Sequence, residues 1–174
     1  SIFDQADQSL MTTGQGLPRV FLSYSHDSEE HKAWVSKLAN RLNSLRVWVI
    51  FDQWDLLLGG DLARFMEQGI SSSDRVLVIC TEEYNRKANS GKGGTGYEKM
   101  IMTADLLTDQ GSSLIVPLVR GRQSPETPIF LRTRLYIDFR VDADFDAQID
   151  RLAQRILEPY SQRPPLGQVS SSDV

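Results

Sequence analysis

The chain has 174 residues, 40% hydrophobic and 24% charged, a balance typical of one globular domain with its own core. A net charge of −4 gives no reason to expect nucleic acid or an anionic membrane as a partner. The longest apolar runs have the length of β-strands, well short of the ~20 residues that span a bilayer, so no membrane segment is predicted.

The termini and the single cysteine indicate where the domain lies in the chain and in the cell. Residues 1–17 and 159–174 are polar or rich in proline, glycine and serine, and we interpret them as tails or linkers around a domain at 18–158. Cys80 cannot form an internal disulfide, which fits a reducing compartment, and no secretory signal is visible at the N-terminus. We therefore predict a cytoplasmic protein.

Strand-like and helix-like patterns alternate through the first half of the domain. Val20–Leu22 predicts a first strand, after which Asp27 or Ser28 caps an amphipathic helix. Val47–Phe51 is β-branched and aromatic, and it predicts a second strand. After a loop over residues 52–60, Asp61 is placed to cap a short second helix.

The alternation continues through the second half. Arg75–Cys80 predicts a strand covered on both faces because it is apolar almost throughout, and Glu82–Asn89 predicts one or two helical turns. Leu114–Val119 and Leu135–Phe139 predict the last two strands. Two further helices are predicted from apolar stripes, one carrying Tyr97, Met100, Ile101, Ala104 and Leu107, and a closing one carrying Phe145, Ile149, Leu152, Ala153 and Ile156.

Five strands alternating with about five helices predict right-handed crossovers and a parallel sheet, hence a flavodoxin-like, doubly wound α/β fold. Ligands of such sheets bind beyond the carboxyl ends of the strands, at the point where strand order reverses. The functional edge is therefore expected at four loops, residues 23–27, 52–60, 81–96 and 120–128.

The first of these loops, Ser23–Asp27, contains serine, histidine and aspartate. A nucleophilic triad needs these groups to converge in space, which consecutive residues on one turn do not achieve. Helix capping is favoured instead, with the hydroxyl and amide groups free to contact a ligand.

The second loop is unusually apolar. Trp54 and three leucines at 56–58 exceed what one short turn buries. They either fold back on the core or form a protrusion that docks on another subunit or closes over a ligand. Gly59 and Gly60 would let the backbone turn where a Cβ atom would clash.

The third loop runs through the glycine-rich stretch 91–96 into Glu98. It lacks the Gly-Lys-Ser/Thr triplet of a phosphate-binding loop, so we interpret it as a flexible lead into a helix N-terminus, where amides favour an anion. On spacing alone, Glu98 is better explained as a solvated glutamate in a first helical turn. His31 is interpreted as a polar residue of the first helix, and Cys80 as a core residue.

Taken together, four blocks in order resemble the TIR/SEFIR superfamily, and within it the bacterial SEFIR-like branch. They are Val20–Asp27 with His31, Val35 and Leu38–Ala39; Val49–Asp55 with Gly59–Asp61; Asp74–Cys80 with Tyr84; and Gly96–Glu98.

The resemblance implies the flavodoxin-like fold and an enzymatic activity. Many bacterial and plant TIR domains cleave NAD⁺ at the nicotinamide–ribose bond, with an essential glutamate early in the helix after the third strand, the position of Glu98. The implied enzyme is an NAD⁺ nucleosidase that takes NAD⁺ as substrate and needs no cofactor or metal. Where those enzymes often carry a tryptophan four residues before the glutamate, this chain has Gly94.

The resemblance also implies roles for other residues. The loop that contains Ser23, Tyr24, Ser25 and His26, together with the amides of 93–96, would hold the diphosphate of NAD⁺. Trp54 or Tyr97 would stack on a ring and replace the missing aromatic surface. Whether the product is linear or cyclic ADP-ribose is left open.

Assembly is the remaining implication. The segment between the second strand and second helix matches the family's interface loop, with Asp52, Trp54, Leu57, Leu58, Gly59 and Gly60 as its candidate contact residues. We expect self-association, an isolated domain that is weakly active or silent, and a fused or partner sensor within a defence or signalling system. The alternative is a non-catalytic scaffold, since animal receptor and adaptor domains of the superfamily mostly assemble without the reaction.

A phospho-acceptor receiver shares the predicted fold but is set aside. It needs an acidic pair after the first strand, an aspartate at the end of the third and a lysine after the fifth. The chain has Ser25-His26, Cys80-Thr81 and Arg140-Val141 there.

Overall fold

The computed structural model describes residues 16–91, 96–106, 115–122, 124–157 and 166–167. Five strands form one parallel sheet in the order β2-β1-β3-β4-β5, the doubly wound arrangement that the sequence predicts. The strands are β1 Arg19–Ser23, β2 Trp48–Ile50, β3 Arg75–Cys80, β4 Ile115–Val119 and β5 Ile137–Asp138.

Helices cover both faces of the sheet. They are α1 Glu29–Ser44, α2 Asp52–Asp55, α3 Leu62–Ser72, α4 Glu82–Ser90 and α5 Phe145–Leu157, with 3-10 turns at Gly96–Met100, Ile129–Leu131 and Asp142–Asp144. Three helices are capped by a side-chain oxygen: Ser28 caps α1, Asp61 caps α3 and Thr81 caps α4, whereas α2 has no side-chain cap.

Two apolar layers hold the helices to the sheet. Successive strand side chains point to opposite faces, so β1 gives Leu22 to one layer and Phe21 to the other. The first layer includes Leu38 of α1 and Ile149 of α5, and the second includes Tyr84 of α4. Because both faces are covered, the central strands are apolar almost throughout, as their sequences predict.

The helix predicted from Tyr97 onward is wrong at its start. Gly96–Met100 is a 3-10 turn, and within the described segment 96–106 only residues 104–106 are α-helical. The cause is competition for backbone groups: the Met102 amide donates to the Tyr84 hydroxyl at 2.9 Å, so the bond to the Glu98 carbonyl that would continue an α-helix is not made. Ile101 donates to that carbonyl instead, in the i→i−3 pattern.

Other sequence-based boundaries need smaller changes. The predicted loop 52–60 begins with the single helical turn α2, and the predicted strand Leu135–Phe139 pairs only at Ile137 and Asp138. The glycines at 93–94, Leu107 and Leu114 lie outside the described residues, as do most residues of the two predicted tails. No helix within the described ranges combines the length and apolar character needed to cross a membrane.

Candidate active site

The strand order of the parallel sheet reverses between β1 and β3. β1 leads to β2 on one side, and β3 begins the run through β4 and β5 on the other. In open parallel sheets this switch point is where ligands bind. The segments that leave it are Ser23–Asp27 after β1 and Thr81 after β3, so the structure brings the first and third predicted loops together.

The first predicted substrate-binding residues are largely buried. Ser23 and Tyr24 are fully buried and Ser25 is 2% exposed. The Ser23 hydroxyl lies 2.7 Å from the Tyr84 hydroxyl and donates to the Met100 carbonyl at 2.8 Å. The Ser23 hydroxyl is therefore already bonded within the protein, and its role in substrate binding stays a prediction.

His26 follows these buried residues and contacts Asp52 at the start of the second predicted loop. Its Nε2 atom is 3.1 Å from Oδ2 of Asp52, whose side chain is 3% exposed. The other oxygen of Asp52 accepts the Tyr24 hydroxyl at 2.7 Å, and Gln53 donates to that hydroxyl at 3.0 Å. Burial, chiefly, raises the pKa of Tyr24, so the phenol is a neutral donor to Asp52.

Tyr97 and Glu98 lie beside His26, on the 3-10 turn Gly96–Met100, called here the Glu98 turn. The Tyr97 ring is half exposed and stacks on the imidazole of His26 with centroids 4.0 Å apart. The Glu98 side chain is 48% exposed, and its Oε1 atom lies 3.6 Å from the Nζ atom of Lys87. The carboxylate thus sits at the rim of the switch point, partly solvated and beside an ammonium group.

The interface loop, residues 52–60, projects two of its three leucines into solvent. Leu57 is 77% exposed and Leu58 fully exposed, while Trp54 leans on Phe51 with ring centroids 5.3 Å apart. Of the two interpretations of this loop, the structure has the protrusion.

Two glycines shape the turn of the interface loop. Gly59 adopts a φ of +82°, a conformation that L side chains rarely adopt. A Cβ atom on Gly60 would lie 2.8 Å from Leu56 and 2.9 Å from the Leu57 carbonyl. The tight turn that presents the leucines therefore depends on both glycines, as the sequence predicts.

A cavity of about 360 Å³ opens at the switch point. We call it the arginine-lined cavity. It takes residues that follow β1, β3, β4 and β5: Asp27, Ser28, Glu30, His31, Thr81, Glu82, Arg120, Gly121, Arg122, Arg140 and Asp142. The Arg120 guanidinium lies 4.3 Å from the centroid of the Trp34 ring and bonds Asp142 at 2.8 Å.

Sequence reasoning missed this cavity. His31 lies on the first helix, as we expected, but it is 92% buried and its Nε2 atom has no hydrogen-bond partner among the described residues. Burial, chiefly, lowers its pKa, which keeps the ring neutral. The signal that was present is the arginines directly after the fourth and fifth strands, because carboxyl ends of strands form the functional edge.

Cys80 ends β3 beneath the switch point and behaves as a core residue. It is 1% exposed, and burial raises the pKa of its thiol to about 12. A nucleophilic cysteine needs a lowered pKa, so Cys80 is not a candidate nucleophile.

Glu98 does not line the arginine-lined cavity, nor two further cavities formed by described residues around Asn89. Among the described residues, no group of three or more His, Cys, Asp and Glu side chains is arranged to hold a metal ion. The Glu98 side chain itself is 48% exposed.

Comparison with known proteins gives the family. A family model described as "TIR domain" matches residues 20–153, most of the chain. The chain belongs to the TIR domain family. The match covers the sheet, the interface loop and Glu98, and it confirms the predicted TIR/SEFIR relationship.

Two curated proteins are similar to this TIR domain. The "NAD(+) hydrolase TcpA" of Theionarchaea archaeon (strain DG-70-1) is 27% identical over 140 residues, 79% of this chain. The "Probable 2' cyclic ADP-D-ribose synthase TcpB" of Brucella abortus (strain 2308) is 33% identical over 63 residues, 36% of this chain. The matched regions span 38% and 25% of those proteins.

Solved structures add the SEFIR side of the relationship. A prokaryotic SEFIR domain is 37% identical, with a TM-score of 0.71 over 80% of this chain and 98% of that chain. The TIR domain of the Toll-related receptor TRR-2 from Hydra magnipapillata is 19% identical, with a TM-score of 0.57 over 79% and 97% of the two chains. The first supports a SEFIR-like TIR domain, and the second shows the shared fold.

Proposed function

We propose that this TIR domain is an NAD⁺ glycohydrolase that uses Glu98 and acts when it is assembled with other copies. The observation that carries the proposal is the Glu98 carboxylate at the rim of the switch point, next to the aromatic pair Tyr97 and His26. The names of the two curated relatives, an NAD⁺ hydrolase and a cyclic ADP-ribose synthase, support NAD⁺ as substrate.

The chemistry needs one well-placed carboxylate. Cleavage of the nicotinamide–ribose bond builds positive charge on the ribose, and nicotinamide leaves as a neutral group that needs no general acid. Glu98 would accept hydrogen bonds from the ribose hydroxyls and stabilise the developing cation. Lys87, 3.6 Å away, would have to move aside or share the carboxylate when substrate binds.

We expect assembly to exclude water from the Glu98 carboxylate, which the single domain leaves half exposed. A carboxylate that is 48% exposed works in a high dielectric, where its stabilisation of a cation is weak. A second subunit docked through the interface loop would exclude water from the rim, and the exposed Leu57 and Leu58 offer the apolar contact for that docking. A sensor, fused or bound, would control assembly in a defence or signalling system.

The second candidate is a scaffold that assembles through the same loop without turnover. Two observations favour it: the 37% identity to a prokaryotic SEFIR domain, and the ion pair of Glu98 with Lys87, which gives the carboxylate a structural partner. Both candidates predict self-association, so only turnover separates them.

The deciding experiment measures nicotinamide release from NAD⁺ with the domain enforced into clusters by fusion to an oligomeric carrier. Glu98→Gln is expected to lower kcat by about 10²- to 10³-fold. Glu83→Gln is the matched control because Glu83, like Glu98, is exposed and paired with a neighbouring cation, Arg86. It is expected to keep the wild-type rate.

Three results would decide against the proposal in different ways. Absence of turnover by the clustered wild type favours the scaffold. Equal rates for wild type and Glu98→Gln would assign the reaction to another group. A loss in Glu83→Gln equal to that in Glu98→Gln would show that removal of any surface charge disturbs the assembly.

A further inference from the structure

His26 touches the parts of the site that the proposed function requires to cooperate. It lies between β1 and α1, its Nε2 atom faces Asp52 at the root of the interface loop, and its ring faces Tyr97 of the Glu98 turn. Asp52 and Tyr97 are connected through this one imidazole.

Two tyrosine rings stack on the His26 ring. Tyr24 stacks with centroids 5.0 Å apart and an interplanar angle of 27°, and Tyr97 stacks at 4.0 Å and 29°. Such near-parallel aromatic contacts are favourable and fix the orientation of the rings. With two stacked rings, Nε2 engaged and a side chain only 17% exposed, His26 has little surface left for a substrate ring or phosphate.

Breaking the contact between His26 and Asp52 costs free energy. The Asp52 carboxylate is 3% exposed, and its two oxygens are shared between the Tyr24 hydroxyl and His26. A buried carboxylate that loses such a partner is left unsatisfied, so any movement of Asp52 favours a matching movement of His26. Asp52 is also the first residue of α2, where the interface loop begins.

The Glu98 turn has one rigid support and one adjustable support. Its C-terminal end is fixed by buried groups, since Met100 accepts the Ser23 hydroxyl and Met102 donates to Tyr84. Its N-terminal end rests on the His26 ring through the half-exposed Tyr97. A displacement of the interface loop would therefore reach the turn through His26.

We propose that His26 is a positioning residue and not a substrate ligand: it holds Tyr97, and with it the turn that carries Glu98, against the root of the interface loop at Asp52. The kinetic part of this inference rests on the proposed function, and the contact itself does not. Docking of a second copy on the interface loop is thereby connected to the placement of the acid.

We call these two contacts, Nε2 with Asp52 and the ring with Tyr97, the His26 clamp. Two substitutions each remove one of them. His26→Phe keeps a ring for Tyr97 and removes the donor to Asp52, while His26→Gln keeps a nitrogen at the position of Nε2 and removes the ring. In clustered domains, both are expected to lower kcat about ten- to a hundredfold with KM changed less than about twofold, because a misplaced acid slows the chemical step. If KM rises with kcat unchanged, His26 binds substrate and the proposal fails.

A second measurement needs no turnover. Asp52→Asn is expected to move the NMR signals of the Tyr97 ring in the wild-type background and to leave them unmoved in the His26→Phe background, where the link is already lost. The chain has only two histidines, so the ring signal of His31 checks that each variant is folded. If the NMR signals of the Tyr97 ring do not move on Asp52→Asn while His26 is present, the proposal is wrong.

The two measurements fail separately. If no clustered sample consumes NAD⁺ but Tyr97 still responds to Asp52 through His26, the proposed function is wrong and the clamp stands. If NAD⁺ is consumed through Glu98 but Tyr97 does not respond, the enzyme stands and the clamp is wrong.

Discussion

The arginine-lined cavity and the Glu98 turn, both at the switch point, differ in the volume and in the chemical groups that they offer a ligand. The arginine-lined cavity has volume, three guanidinium groups and a buried histidine, but Glu98 is absent from its lining. The Glu98 turn has the candidate acid and an aromatic surface, but it lies on an open rim. A preformed cavity and a candidate catalytic group thus occur in different parts of the same functional edge.

This difference bears on how the domain would be activated. An enclosed site can hold a substrate in the single subunit, whereas an open rim needs another surface to exclude water before a carboxylate stabilises a cation well. The exposed leucines of the interface loop are the described feature best suited to provide that surface. The rim therefore fits an assembly-dependent enzyme better than a constitutively active one.

The largest effect that would test this comparison, after Glu98→Gln itself, is expected at Leu58. Leu58→Asp places a charge where we propose a second subunit docks, and loss of a contact at the centre of an interface costs about 2 kcal/mol, or roughly thirtyfold in association. Sedimentation and NAD⁺ turnover of the untagged domain at high concentration would both report the loss. Leu58 is fully exposed, so unfolding stability is expected to stay the same.

Leu135 provides the control for that substitution. It is 94% exposed and lies outside the interface loop, just before β5. Leu135→Asp makes the same chemical change and is expected to leave association and turnover unchanged. Equal losses in the two variants would show that general surface charge, and not the interface loop, controls assembly.

A smaller effect is expected on the cavity side, where His31 is buried. Its pKa lies below the ordinary value of 6.5, lowered first by burial and further by Arg120 and His26, with Asp27 opposing. Between the folded pKa and 6.5 the unfolded chain binds more protons than the folded chain, so the free energy of unfolding falls as pH falls through that window. Below the folded pKa the loss is complete.

Denaturant unfolding at pH 7 and at pH 5 checks this expectation. His31→Phe removes the titrating ring from the buried position, and the variant is expected to lose less stability over the same pH interval than the wild type. Parallel pH profiles for the two proteins would mean that His31 contributes nothing to the acid sensitivity. The buried unpartnered Nε2 atom would then have found a partner that stabilises its protonated form.

The fold was predictable because its signals are local. The bounds of β3, the Ser28 and Asp61 caps and the parallel sheet follow from apolar periodicity and capping residues within a few positions of each other. The protruding interface loop was one of two interpretations, since the sequence shows how many apolar residues it holds but not whether the core has room for them.

The Glu98 turn and the cavity depend on distant residues. The hydrogen bond from Ser23 to Met100 joins residues 77 positions apart, and no pattern near Tyr97 reveals that this bond and the one from Met102 to Tyr84 replace helical ones. The burial of His31 likewise depends on how α1 packs at the ends of the strands. Glu98 was identified through family resemblance, and its role in catalysis stays a prediction.

The smallest expected effect is the sharpest test of whether the cavity and the Glu98 turn are separate. Arg122 lines the arginine-lined cavity and is exposed, so Arg122→Ala should leave the fold intact. If NAD⁺ reacts at the rim, this variant keeps the clustered turnover rate within about twofold, the usual scatter for a residue outside the reacting geometry. If its rate falls as far as that of Glu98→Gln, substrate extends across the switch point into the cavity. The cavity and the turn would then be halves of one site that the single-domain structure holds apart.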